Sequence, residues 1–600
     1  MVTGQDTRWD LGKLYASTDD PRIRTDLEAV RGQIKAFKQT YEGQLASLSA
    51  AALRDAIEAM EGPSNALERL AGYAWMEFYT DTRVEASRAL YQSLWSDYTL
   101  LLTEFEFFKQ ELKYLDHAHF AGLLAAPELA PYRYYLERVR MWTPHTLPLE
   151  QEALLVRKNI TGERAWSQLY TEMTASLKFL VHGPDGPKEM GIAEARGLRT
   201  SSDRAVRKSA HEAWLAALGR EGHVFGTVFN TLMQDHLHTL ELRKVPDLMG
   251  LTLLEHDLSR EVIDALLTAT EAHYPLVQRY YTLKAKLLGY TDLASHDLMA
   301  PLGAQAGGAV PFDTAKDLVI STLNSFTPRF GELAKRFFSE QYIDPFPTAG
   351  KPMGAFCFGL GPSVHPFIFM NYGGSLHDIT TLAHELGHGL HYVMAAQRQT
   401  LLNTYTVAPL LETVSIFSET HMYNILLARE TDARERIQLL ASQLEGAIAS
   451  ISRQVMYTRW ELRAYDRRKQ GIIPVEELCT MWLEELRNVY GDTVRFSELD
   501  QWGWLTNPFF ITQRFVCYSY AFGQLLVYAL YQQYREDGRA FVEKYLAMLE
   551  LGGSVSPHTL LAGMGLDIAD PDFWEQGFVI VEDLLDKLAA AVAAVQKTTA

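Results

Sequence analysis

Apolar residues recur every three or four positions through most of this chain of 600 residues. Leu27, Val30, Ile34, Phe37, Tyr41, Leu45 and Leu48 follow that spacing and predict an amphipathic helix over 22–48. The same period predicts helices within 87–113, 203–243, 260–288, 432–469, 475–489 and 518–536. The exception is 351–374, where glycines interrupt β-branched and aromatic residues. There, Gly354 to Phe358 and Phe367 to Met370 read as short strands. Directly afterwards Ile379, Leu382, Ala383, Leu386, Leu390 and Val393 return to helical spacing, predicting a buried helix over 376–396. The fold class expected is mainly α, with a short β-sheet preceding this helix.

That helix holds the chemistry. Its sequence His384-Glu385-Leu386-Gly387-His388 places two imidazoles four positions apart, on one face, where both can bind one zinc ion. Glu385 is offset around the helix, within reach of an attacking water without being a ligand, which is where a general base for hydrolysis belongs. A five-residue pattern can arise by chance, so its setting matters. Ser375 and Asp378 form the first and last positions of a capping box, which starts a helix at the right place.

Two histidines leave the site incomplete, because a catalytic zinc ordinarily keeps three protein ligands. His391 shares the face, but a rise of about 1.5 Å per residue puts it about 10 Å along the axis from His384. It reads as a packing or supporting residue, as does Asp378 at the helix start. The acidic pair Glu412 and Glu419 is the better source, since a seven-residue spacing puts both carboxylates on one face of a following helix. From spacing alone, either could be the ligand.

Composition narrows the classes of function. Lys and Arg number 56 against 74 Asp and Glu, a net charge of −18, which argues against a nucleic-acid or anionic-membrane partner. The three cysteines, Cys357, Cys479 and Cys517, are odd in number and far apart, the pattern of cytoplasmic thiols rather than a disulfide framework. No signal-peptide pattern opens the chain, and no apolar run has membrane-spanning length. No interpretable Cys/His pairing supports a cysteine protease.

These motifs resemble the oligoendopeptidase F branch of the thimet oligopeptidase family of zinc metallopeptidases. The likeness runs from Trp9-Asp10-Leu11 and Leu14-Tyr15 through Gly354-Ala355-Phe356-Cys357 and Pro366 to Tyr372. It continues from Asp378 to His391, then through Tyr518 to Gly523, Gly552-Gly553-Ser554 and Gly565-Leu566-Asp567. The resemblance implies a large helical metallopeptidase whose two halves enclose a channel, with an N-terminal region over 1–195 and a catalytic domain over 196–600. It implies one Zn²⁺ bound by His384, His388 and Glu412, with Glu385 as general base and Glu419 orienting a ligand. It also implies an oxyanion donor from Tyr518 first or Tyr520 second, and short unfolded peptides as substrates.

The segment Gly354, Ala355 and Phe356 is expected to hold substrate by main-chain hydrogen bonds at a strand edge, although a purely structural sheet fits the residues equally. One departure stands out: the family's Pro-His-Phe reads Pro508-Phe509-Phe510 here, and Gln524 replaces an expected glutamate. A phenyl ring cannot donate to an oxyanion. The function expected is zinc-dependent endopeptidase activity on short peptides in the cytoplasm. A zinc-holding relative with low turnover and a C-terminal exopeptidase are the alternatives.

Overall fold

The computed structural model describes residues 8–302 and 309–599, and these are helical almost throughout. The periodic segments are helices, but most break once in their interior. The first runs Pro21–Tyr41, started by the Asp20 side chain accepting from Arg22 N and by Pro21 at the first position. It stops short of 48 because Gly43 takes a positive φ of 76°. Leu45 still packs inside, from a short 3₁₀ turn that keeps the apolar spacing without continuing the helix. The expected helix over 260–288 is two, Arg260–Ala272 and Tyr274–Leu288, parted just ahead of Pro275.

The chain forms two compact units, each assembled from three segments. The first comprises Met1–Thr143, Gly307–Leu426 and Gln533–Asp567; the second comprises Pro144–Ala306, Leu427–Gln532 and Ile568–Ala600. The second unit carries an antiparallel hairpin, β1 (Phe179–Gly183) with β2 (Gly186–Met190). Its core stacks Trp460 against Phe229 at 5.3 Å and against Trp504 at 5.4 Å.

The first unit holds the other sheet. Strand β3 (Ile343–Asp344) pairs parallel with β5 (Phe367–Phe369), and β4 (Phe356–Phe358) pairs antiparallel with β5, giving the order β3-β5-β4. Alternation along β4 sends Phe356 and Phe358 to one face, where both rings lie 4.6 Å from Trp75 of the long helix Ala50–Thr80. Phe356 also stacks on Phe369 at 4.7 Å. The opening Trp9 closes over this sheet, donating to Thr80 Oγ1 at 3.0 Å and packing 5.7 Å from Phe369. On the segment leading to β4, the Lys351 side chain is completely buried, donating to the Asp344 and Phe346 carbonyls and pairing with the Asp344 carboxylate at 3.2 Å. Among the described residues, no helix is long and apolar enough to cross a membrane.

Candidate metal centre

The helix bearing the histidines runs Leu376–Ala396. Ser375 Oγ accepts from Asp378 N at 3.1 Å, and Asp378 Oδ2 accepts from Ser375 N and Gly373 N, both at 2.9 Å. The capping box therefore forms as expected, and Asp378 spends its carboxylate on the turn that starts the helix. Leu382, Ala383, Leu386 and Leu390 are fully buried.

A glycine sets the distance to the next element. A Cβ on Gly387 would sit 2.6 Å from Ser415 Cα and 2.6 Å from the Val414 carbonyl, so the two chains touch backbone to backbone. That approach brings in Glu412, which immediately precedes the helix Thr413–Arg429. Ser415 Oγ donates to the Glu412 carbonyl at 3.0 Å and to Glu412 Oε2 at 2.7 Å, aiming the carboxylate. We expect Gly387→Ala to destabilise the fold by about 3 kcal/mol in urea unfolding, because neither backbone can yield to the added methyl. Unchanged stability would show that the contact relaxes.

Glu412 Oε2 lies 3.2 Å from His384 Nε2 and 3.3 Å from His388 Nε2. One ligand atom from each of the three residues falls within 4.8 Å of the others. Zinc–nitrogen and zinc–oxygen bonds of about 2.0–2.1 Å in a tetrahedron separate neighbouring donors by about 3.3 Å. The two separations from Glu412 Oε2 match that edge and the third pair lies within 4.8 Å, so the residues fit the ion. On its far side, His384 Nδ1 is 3.2 Å from Glu419 Oε2. With Nδ1–H donated there, the Nε2 lone pair faces the cluster.

The electrostatics favour a positive charge among these donors. Burial pulls the His384 imidazole down, but hydrogen bonds to Glu412 and Glu419 outweigh it and raise its pKa to about 10. Burial pushes Glu412 up, and its bonds to the two imidazoles hold it instead far below the carboxylate range. Glu385 is 6% exposed, and its buried Oε2 has no hydrogen-bond partner among the described residues. Burial raises its pKa against the opposing charges of His384 and His388.

The profile of peptidase family M3 matches residues 198–580, well over half of the chain, and that of oligopeptidase F matches 111–179. The chain belongs to peptidase family M3. This M3 peptidase is 25% identical to oligopeptidase PepF of Bacillus subtilis, over 100% of its own length and 89% of the relative's. It is 26% identical to group B oligopeptidase PepB of Streptococcus agalactiae, over 98% and 97% of the two chains. In fold it is similar to oligoendopeptidase-F from Enterococcus faecium, with a TM-score of 0.72, 20% identity and coverage of 96% and 100%.

Other expected site residues of the M3 peptidase fall outside the cluster. His391 is buried, and burial together with the charge of His388 lowers its pKa to about 4; it packs as a neutral ring. Tyr518 and Tyr520 belong to the second compact unit. Their surroundings differ. Tyr518 has no exposure and its hydroxyl is 2.6 Å from His256 Nδ1, whereas Tyr520 is 41% exposed with its ring 5.9 Å from that of Phe509. Tyr520 is the more exposed of the two.

The strand expected from Gly354 begins at Phe356. Gly354 adopts a φ of 111° and its carbonyl accepts from Asn371 Nδ2 at 3.0 Å, so Gly354 and Ala355 form a lead-in. At Phe356 the side chain is committed to Trp75 and Phe369, leaving the main chain of an edge strand. Sequence reasoning missed Gly387 and Ser415. The usable signals were a glycine inside a helix and a serine three positions after an acid.

Proposed function

We propose that this M3 peptidase is a zinc-dependent oligoendopeptidase that hydrolyses internal bonds of short, unfolded peptides in the cytoplasm. The observation carrying this reading is the convergence of His384, His388 and Glu412 at 3.2–3.3 Å beside the unpartnered carboxyl of Glu385. His384 Nε2, His388 Nε2 and a Glu412 oxygen would hold the ion. Zinc bound there supplies a Lewis acid that polarises the scissile carbonyl and acidifies water.

The chain's own groups do the rest. Glu419 fixes the His384 tautomer through Nδ1. Glu385 takes a proton as water adds to the carbonyl carbon, then returns it to the amine as the C–N bond breaks. Its buried setting raises the carboxyl towards the pH at which such a shuttle works best. The free edge of β4 receives an extended peptide through main-chain hydrogen bonds. A second reading is a zinc-holding relative with low turnover, resting on Phe509, where the resemblance expects a histidine able to donate.

The test is an internally quenched peptide blocked at both ends, assayed with metal analysis of the same preparation. Expected are about one zinc per chain, cleavage at an internal bond, loss of cleavage with chelator and its return with zinc. Full cleavage by metal-free protein would overturn the reading. Trimming only of peptides with a free C-terminus would make the enzyme an exopeptidase, and binding without cleavage would favour the low-turnover reading.

A further inference from the structure

Tyr392 stands one helical turn after His388, and helical side chains lean back over the turn that precedes them. Its ring runs alongside that of His388, with 21° between the planes and 6.1 Å between the centroids. The same ring meets Tyr405 edge-on at 5.2 Å. A glycine makes room for both tyrosines directly after β4. A Cβ on Gly359 would sit 2.5 Å from the Tyr405 hydroxyl and 3.1 Å from Tyr392 Cδ2. The two phenols then differ in what their oxygens do. Tyr405 accepts from Gly361 N at 2.8 Å. Tyr392 is half-buried, and among the described residues its hydroxyl has no hydrogen-bond partner. A phenylalanine would fill the same space without that unmatched oxygen, so packing alone does not account for the tyrosine.

Its neighbours are the groups of the reaction. Burial raises the Tyr392 pKa, and Cys357, Tyr405, Glu412 and Glu385 add to the rise, so the phenol keeps its proton. Such charge effects fade with distance, which puts the hydroxyl in the vicinity of the Glu412 ligand and the Glu385 carboxyl. Cys357 is the middle residue of β4, and alternation turns it away from the Trp75 face. The helix Leu376–Ala396 packs on this strand. Strand edge, phenol, candidate ligands and Glu385 all belong to the first compact unit.

A hydrolytic site needs a donor where charge develops on the scissile carbonyl. At Phe509 the resemblance expects a histidine for that task, and a phenyl ring cannot perform it. We propose that Tyr392 is a catalytic residue, donating to the carbonyl oxygen of a peptide paired along β4 as that oxygen becomes an oxyanion. This rests on the oligoendopeptidase reading. As water adds to the carbonyl carbon, the C=O π pair moves onto oxygen and Glu385 takes the proton from water. The phenol strengthens its hydrogen bond and keeps its own proton. When the C–N bond breaks, the pair returns from oxygen, Glu385 protonates the amine, and the phenol is as it began.

The test uses the full-length, zinc-loaded enzyme and Tyr392→Phe, which removes one oxygen and keeps the ring against Gly359 and Tyr405. A kcat about 10²-fold lower is expected, with KM and zinc content unchanged. A phosphinic peptide, whose tetrahedral phosphorus carries anionic oxygen, should bind Tyr392→Phe about 10²-fold more weakly. An uncleaved peptide, titrated in the Glu385→Gln background, should bind within about twofold with or without the hydroxyl.

Parental kcat in Tyr392→Phe would overturn the proposal, as would equal weakening of the phosphinic and the uncleaved peptide. Loss of the fold, read by circular dichroism, would make the hydroxyl structural and overturn it too. A parent enzyme that cleaves without metal, or cleaves nothing, would instead remove the oligoendopeptidase reading and this proposal with it.

Discussion

Glu385→Gln is expected to bind zinc like the parent and to hydrolyse peptides about 10²–10⁴-fold more slowly. The substitution keeps volume and shape, so the helix Leu376–Ala396 and its packing are untouched. The three candidate ligand atoms belong to His384, His388 and Glu412, none of which is altered. What disappears is the ability to accept a proton: Glu385 Oε2 is buried without a partner, and an amide there is not basic. The loss should appear in kcat, with little change in KM, because the group acts on water rather than on peptide binding. Parallel metal analysis and steady-state kinetics check it. A Glu385→Gln enzyme with parental turnover would remove the general base.

Removal of Glu412 is expected to have the largest effect on metal content. Its Oε2 faces both Nε2 atoms, so Glu412→Ala deletes one of three donors and leaves two imidazoles. Zinc affinity should fall by well over the roughly 10–100-fold typical of losing an outer partner. Glu419→Ala is the matched control. Its carboxylate meets only Nδ1 of His384 in the cluster, so its loss should fall inside that 10–100-fold range. The fold should survive Glu412→Ala, since Ser415 keeps its bond to the main-chain carbonyl of residue 412. Competition with a chelating indicator reads both affinities. The reverse ranking, with Glu419→Ala losing the metal and Glu412→Ala keeping it, would exchange the two roles.

What could be read from the sequence was whatever depends on short spacing. The His384–His388 pair and the capping box at Ser375 and Asp378 follow from helical geometry over a few turns, whereas Glu412, expected on one helix with Glu419, lies just ahead of the helix Thr413–Arg429 and both still reach His384. Helix ends were less legible, because the apolar pattern runs on where the backbone turns. Leu45 remains buried beyond Gly43, so periodicity alone could not end the first helix. Contacts between distant segments were not legible at all. Nothing near Gly387 announces that the backbone of Val414 and Ser415 will lie against it. Likewise, Tyr518 and Tyr520 look equivalent in a row of residues; only His256, far away in the chain, seals one of them. Phe515, with a φ of 54°, turns the chain without a glycine or asparagine to mark it.

The interleaving of the chain bears on how the protein is made. The unit holding the histidines takes its final strip from Gln533–Asp567, and the other takes its own from Ile568–Ala600. Neither body owns all its parts until its final strip has left the ribosome, so nascent chains must wait with unfinished apolar faces until those strips emerge.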